Sequence, residues 1–243
     1  MNDSITLSTN QNESPKFISP KNAYLKGMLA VFAPFLVVAV LGGFLGSDIS
    51  FASALVINLA YLMAIVIATV VLKKQGLGWG VLGLARPVSW PKTIASAVGT
   101  FFLAVAALLA FQVLLMALGL GASDQSDYNP LTGNLPVFLT MVAAAWTLVA
   151  FGEEMLFRAF LINSLAGALG GLKARWVLAA AGSSLVFGLA HYDWGLAGII
   201  ETTLVGLIFG AVYLRTGRNL WVTIIAHALS NTLKFALVFA GWV

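Results

Sequence analysis

No cysteine occurs in this chain of 243 residues, histidine occurs only twice, and charged residues make up just 9% of it. Each scarcity excludes something. Without cysteine there is no disulfide, no thiol nucleophile and no Cys-ligated metal, and the redox compartment is not legible. A soluble domain carries about 25% charged residues. At 9% charge and 60% hydrophobic residues, with mean hydropathy +0.96, the sequence is that of a polytopic membrane protein. Its size fits one helical bundle with no second soluble domain. The net charge of +4 does not mark nucleic-acid binding. The basic residues fall between apolar stretches, where they set orientation.

The expected fold is all-α, a transmembrane bundle of about seven spans near 25–46, 51–72, 93–120, 136–166, 174–191, 196–214 and 219–240. Residues 1–22 contain no apolar run and read as a flexible polar tail, leaving 23–243 as the transmembrane domain. The first apolar stretch is too long for a signal-peptide core and is expected to stay as an anchor. Lys73, Lys74, Arg86 and Lys92 fall in the second loop, Lys173 and Arg175 in the fourth, Arg215 and Arg218 in the sixth. Asp48, Asp124, Asp127 and Asp193 fall in the odd loops. The positive-inside rule then places the N-terminus in the cytoplasm of a multi-pass protein of the cell inner (plasma) membrane.

Against this apolar background stand Glu153 and Glu154, adjacent in Phe151-Gly-Glu-Glu-Met-Leu-Phe-Arg158. The two histidines follow on later apolar stretches, in Phe187-Gly-Leu-Ala-His191 and His227-Ala-Leu-Ser-Asn231. An ionisable group in a span costs several kcal/mol, so these residues are expected to face partners or a wet cavity. Helix periodicity puts Glu154 with Arg158, Phe187 with His191, and His227 with Asn231 on shared faces. It turns Glu153 about 100° away from Glu154. Glu154 is therefore expected to pair with Arg158, leaving Glu153 to face the cavity. A desolvated carboxylate suits general-base work beside an imidazole sharing one water, and a second imidazole and the Asn231 amide suit an oxyanion. A divalent metal such as zinc on Glu153, His191 and His227 is the other use of these residues, and whether a cofactor is needed stays open.

Two features of the spans need explanation. The fourth is too long for one straight crossing, so a strong tilt or a break near Gly152 or among Gly167, Gly170 and Gly171 is expected. His191 falls at a different depth from His227, which a re-entrant segment or an amphipathic loop helix around 166–177 would reconcile. Glu201 and Lys234 lie in the last two spans, either paired with each other or with Glu201 at the cavity. Gly206-x-x-x-Gly210 predicts a close helix approach.

Glu153-Glu154-x-x-x-Arg158, Phe187-x-x-x-His191 and His227-x-x-x-Asn231 together resemble the successive motifs of the CAAX-protease and bacteriocin-processing (Abi) family of intramembrane proteases, which includes the type II CAAX prenyl endopeptidases. The likeness covers residues 136–231. It implies an endopeptidase with its site inside the bundle, acting on a peptide or membrane-associated protein. By carry-over, Glu153 and His191 activate the water, His227 and Asn231 bind the oxyanion, and Glu154 and Arg158 support them, with Phe187 as a cavity wall. The family's members are described both as metal-dependent and as glutamate-type, so the resemblance implies no single cofactor. A proton- or ion-coupled transporter is the alternative from another class. Its ionisable residues would be matched in two repeated halves, whereas here they all lie in the C-terminal half. A catalytically silent scaffold or immunity protein is the third reading.

Overall fold

The structure is a computed structural model that describes residues 21–45, 51–124 and 126–242. Among these residues every regular element is helical. The long helices are α1 (Lys21–Leu45), α2 (Phe51–Lys74), α3 (Trp90–Ala117), α4 (Leu135–Leu169), α5 (Arg175–Leu189), α6 (Gly195–Arg215) and α7 (Leu220–Phe239). Stretches in α1, α3, α4, α6 and α7 are long and apolar enough to cross a membrane, and α5 is a shorter apolar helix of 15 residues. Seven crossings are compatible with these helices. The expected tail falls almost wholly on residues 1–20, outside the described residues, while Lys21 and Asn22 already belong to α1. Asp48 also lies outside them.

The helix starts are written in the sequence. Ser89 caps α3, its hydroxyl accepting from Lys92 N, with Pro91 in the first turn. Asn134 caps α4 by accepting from Val137 N at 3.3 Å, and Asn219 caps α7 by accepting from Trp221 N at 3.2 Å. Each cap satisfies one of the orphan N–H groups of a helix start.

α4 departs from expectation. It does not break at Gly152; its 35 residues continue to Leu169. Two π-helical stretches, Ala145–Val149 and Glu154–Leu161, widen it instead. Turns of this kind gather at functional sites, because each re-aims the side chains that follow. The helix ends at Gly170, whose φ of 63° is open to glycine at little cost. α5 begins at Arg175, so there is no separate loop helix around 166–177.

Burial explains why α4 is central. Every residue from Gly152 to Ser164 is buried, and the main core runs from Val31 through Ala64, Leu72, Leu156, Phe160 and Ile162 to Ile224. The side chains around it are small where helices touch. A Cβ at Gly206 would stand 3.0 Å from Ser184 Cβ, and one at Gly188 would collide with Thr203 and stand 2.7 Å from Ile199 O. α5 and α6 thus pack nearly backbone to backbone, as the Gly206-x-x-x-Gly210 spacing predicts.

The two ends of the bundle differ. At one, Tyr213 donates to Leu82 O at 2.7 Å and accepts from Asn163 Nδ2 at 2.9 Å, docking the Gly80–Leu84 turn. Asn219 donates to Thr93 there, and the Arg218 guanidinium lies over Trp176. The turn after α2 is therefore packed into the bundle and does more than float at the interface. At the other end, Asp124 N donates to Trp194 O, and Thr132 Oγ1 donates to Val238 O.

Candidate active site

α4 brings Glu153, Glu154 and Arg158 to one point, and α7 brings His227 against them. Glu154, with no exposure, places Oε1 3.0 Å from Arg158 Nη1. The same oxygen accepts from His227 Nδ1 at 2.9 Å. The expected Glu154–Arg158 contact is present, and it includes a histidine that the spacing within α4 could not reveal. Because a carboxylate accepts and cannot donate, Nδ1 of His227 carries the hydrogen in this arrangement. His227 Nε2 then looks toward Glu153, whose Oε2 is 3.6 Å away. The second oxygen of Glu153 accepts from the Tyr61 hydroxyl of α2 at 3.0 Å.

Arg158 is 2% exposed, and neither Nη1 nor Nη2 makes a hydrogen bond within the described structure, so its contact with Glu154 is an ion pair at 3.0 Å. Its guanidinium lies instead over the ring of Phe187 at 4.4 Å and near that of Phe209 at 5.4 Å. Aromatic faces attract a cation where water is absent. Phe209 also packs on His227, at 5.7 Å between centroids. Phe187 touches both histidine rings, His191 at 4.8 Å and His227 at 6.2 Å.

His191 lies just past the end of α5. Its Nδ1 is 2.8 Å from Phe187 O, which can only accept, so Nδ1 carries the hydrogen and the neutral ring keeps a lone pair on Nε2. This bond turns the ring back along α5 until it meets Phe187, and Trp194 covers its other side at 4.7 Å. The depth difference between the two histidines is thereby spanned by one phenylalanine ring, without any extra helix. Asn231 sits half-buried one turn beyond His227 on the same face of α7.

As a metal site the arrangement does not fit. Glu153 and His227 approach each other, but among the described residues no three His, Asp or Glu side chains gather into a metal-holding group.

Outside this cluster, Glu201 is taken up by Gln112 and by Ser123 Oγ at 2.7 Å, and not by Lys234. The Lys234 ammonium lies between the rings of Trp194 and Tyr128, at 3.9 and 4.0 Å from their centroids. Asp127, in the adjoining turn, has its carboxyl pushed up by burial and by the neighbouring Asp193 and Asp124. Sequence reasoning missed Tyr61, Phe209 and Trp194. Only Tyr61 carried a signal, a hydroxyl within an apolar run that needs a partner.

Residues 135–233 match the family described as type II CAAX prenyl endopeptidase Rce1-like. No curated protein and no solved structure matches the chain.

Proposed function

From the match of residues 135–233 to the type II CAAX prenyl endopeptidase Rce1-like family, we propose that the chain is an intramembrane endopeptidase of the CAAX-protease kind whose water is activated by Glu153. The observation that carries this reading is the approach of Glu153 Oε2 to His227 Nε2 at 3.6 Å, with the other ring nitrogen of His227 held by Glu154. The substrate is a peptide or membrane-associated protein reached from within the bilayer.

The steps follow from the atoms. Glu153 accepts a proton from a water that the lone pair of His191 Nε2 helps to orient. The resulting hydroxide attacks the scissile carbonyl carbon, and the carbonyl oxygen becomes an oxyanion. His227 Nε2–H and the Asn231 amide donate to that oxyanion, and collapse of the intermediate passes the proton from Glu153 to the leaving amine. Arg158 faces Glu154, and His227 stands between Glu154 and Glu153, so the polar groups of the buried cluster meet one another. An unpaired charge at this depth would be costly. Glu154 and Arg158 do no chemistry in this scheme; they hold His227 in one orientation. No step passes through a metal.

The basic loops gather at the Tyr213 end of the bundle. By the positive-inside rule this end faces the cytoplasm, with the N-terminus on the same side, in a cell inner (plasma) membrane.

The test is cleavage of an internally quenched peptide ending in a prenylated CAAX sequence, and of a membrane-anchored peptide without the prenyl group, by the protein purified in detergent. Glu153→Gln keeps the shape and removes the base. Its activity is expected to fall by about 10²-fold or more, with unfolding unchanged. Cleavage by Glu153→Gln at the wild-type rate would sink the assignment.

A further inference from the structure

We propose that Tyr61 is a positioning residue for this reaction, holding the Glu153 carboxylate so that one oxygen is bonded and the other faces His227. The proposal rests on the reading of Glu153 as the base. It adds a residue from α2, in the half of the chain that lies outside the matched family region.

The geometry is direct. Tyr61 Oη donates to Glu153 Oε1 at 3.0 Å, across 92 residues of sequence. A carboxylate on a three-torsion stem is otherwise free to swing, and His227 Nε2, 3.6 Å from one of its oxygens, lies close enough to capture it. Capture of both Glu153 oxygens by a cation would leave none for water. The Tyr61 bond occupies Oε1 and keeps Oε2 directed at the gap before His227. Tyr61 is itself fixed: the Phe35 ring of α1 meets it edge-on at 4.7 Å. On α4 the residue before the base is Gly152, where a Cβ would stand 3.5 Å from Ile65 and 3.9 Å from Tyr61. This lets α2 come close enough for a phenol to span the distance. A hydroxyl buried among apolar helices needs a partner, and the partner here is the reacting group.

The titratable and charged groups around Glu153 are Tyr61 from α2, His227 from α7, Glu154 and Arg158 on its own helix, and Tyr128 from the turn before α4. Of these, only Tyr61 can be altered to lose a hydrogen bond without changing the charge of the cluster.

The experiment measures kcat and KM for Tyr61→Phe, Phe35→Leu and Glu153→Gln, with the quenched prenylated peptide and protein in detergent. Tyr61→Phe keeps the ring and its packing. It is expected to lose about tenfold in kcat with KM unchanged. Phe35→Leu removes the packing ring, leaves the hydroxyl, and is expected to keep kcat within about twofold of wild type. An unchanged kcat in Tyr61→Phe, beside an inactive Glu153→Gln, overturns the role of Tyr61 alone. An equal fall in kcat in Phe35→Leu, or a rise in KM in place of the fall in kcat, shows packing or binding only and also overturns it. Full activity of Glu153→Gln removes the underlying assignment and this proposal with it.

Discussion

Replacing Glu154 by glutamine separates the structural from the chemical work of the cluster. The carboxylate has no exposure and holds two partners through one oxygen, Arg158 Nη1 at 3.0 Å and His227 Nδ1 at 2.9 Å. The amide keeps the volume but not the charge. Arg158, 2% exposed, is then left as a buried cation with only the rings of Phe187 and Phe209 beside it. Breaking a buried pair by removing one member costs about 3–5 kcal/mol, and ring contacts return about 0.5–2 kcal/mol that was already present before the change. The expected loss of stability is therefore roughly 3–5 kcal/mol. It is measurable by titrating the protein from mild detergent into denaturing detergent and following its seven tryptophans. A double variant, Glu154→Gln with Arg158→Met, removes both charges and is expected to recover most of that loss. Peptide cleavage is expected to stay at least about 10²-fold down in both variants, because His227 has lost the carboxylate charge that holds its ring. A double variant as unstable as Glu154→Gln alone would refute the reasoning, as would a single variant within about 1 kcal/mol of wild type.

Two further outcomes follow from the geometry. Asn231→Ala removes an amide proposed to meet the oxyanion, so kcat is expected to fall by about 10²–10³ with little change in KM or unfolding; a rise in KM alone would move Asn231 to substrate binding. Gly188→Val drives a side chain into Thr203 and Ile199 O where α5 and α6 touch, and is expected to cost about 1–3 kcal/mol or more in the same detergent titration.

How much was legible depends on the range of the interaction. The Glu154–Arg158 contact lies within one helix at i,i+4, so spacing alone implied it. The caps at Ser89, Asn134 and Asn219 are local too, as is the Gly206-x-x-x-Gly210 approach. The helix α4 ends at Gly170, one of the glycines where a break was expected, while the other expected break, at Gly152, is absent. Its length announced that something departs from a straight α-helix, but glycine is a poor guide to π-helical turns. These depend on what the widened helix packs against, and Gly152 passes through without a break.

Composition determined that this chain lies in a membrane, because 9% charge over 243 residues leaves too few polar groups to cover a soluble domain, and apolar runs of about 20 residues determined that it is helical. The presence of Glu153-Glu154, His191 and His227-x-x-x-Asn231 in apolar spans likewise pointed to a functional site, since ionisable residues are too expensive in lipid to be incidental. Only the tertiary structure decided which acid each histidine meets. It put His227 on Glu154, turned His191 toward Phe187, gave Glu201 to Gln112 and Ser123, and delivered Tyr61 to Glu153 from another helix. Those contacts join residues up to 92 positions apart in the chain. They are set by how helices pack against one another, which residue spacing within any one helix does not encode.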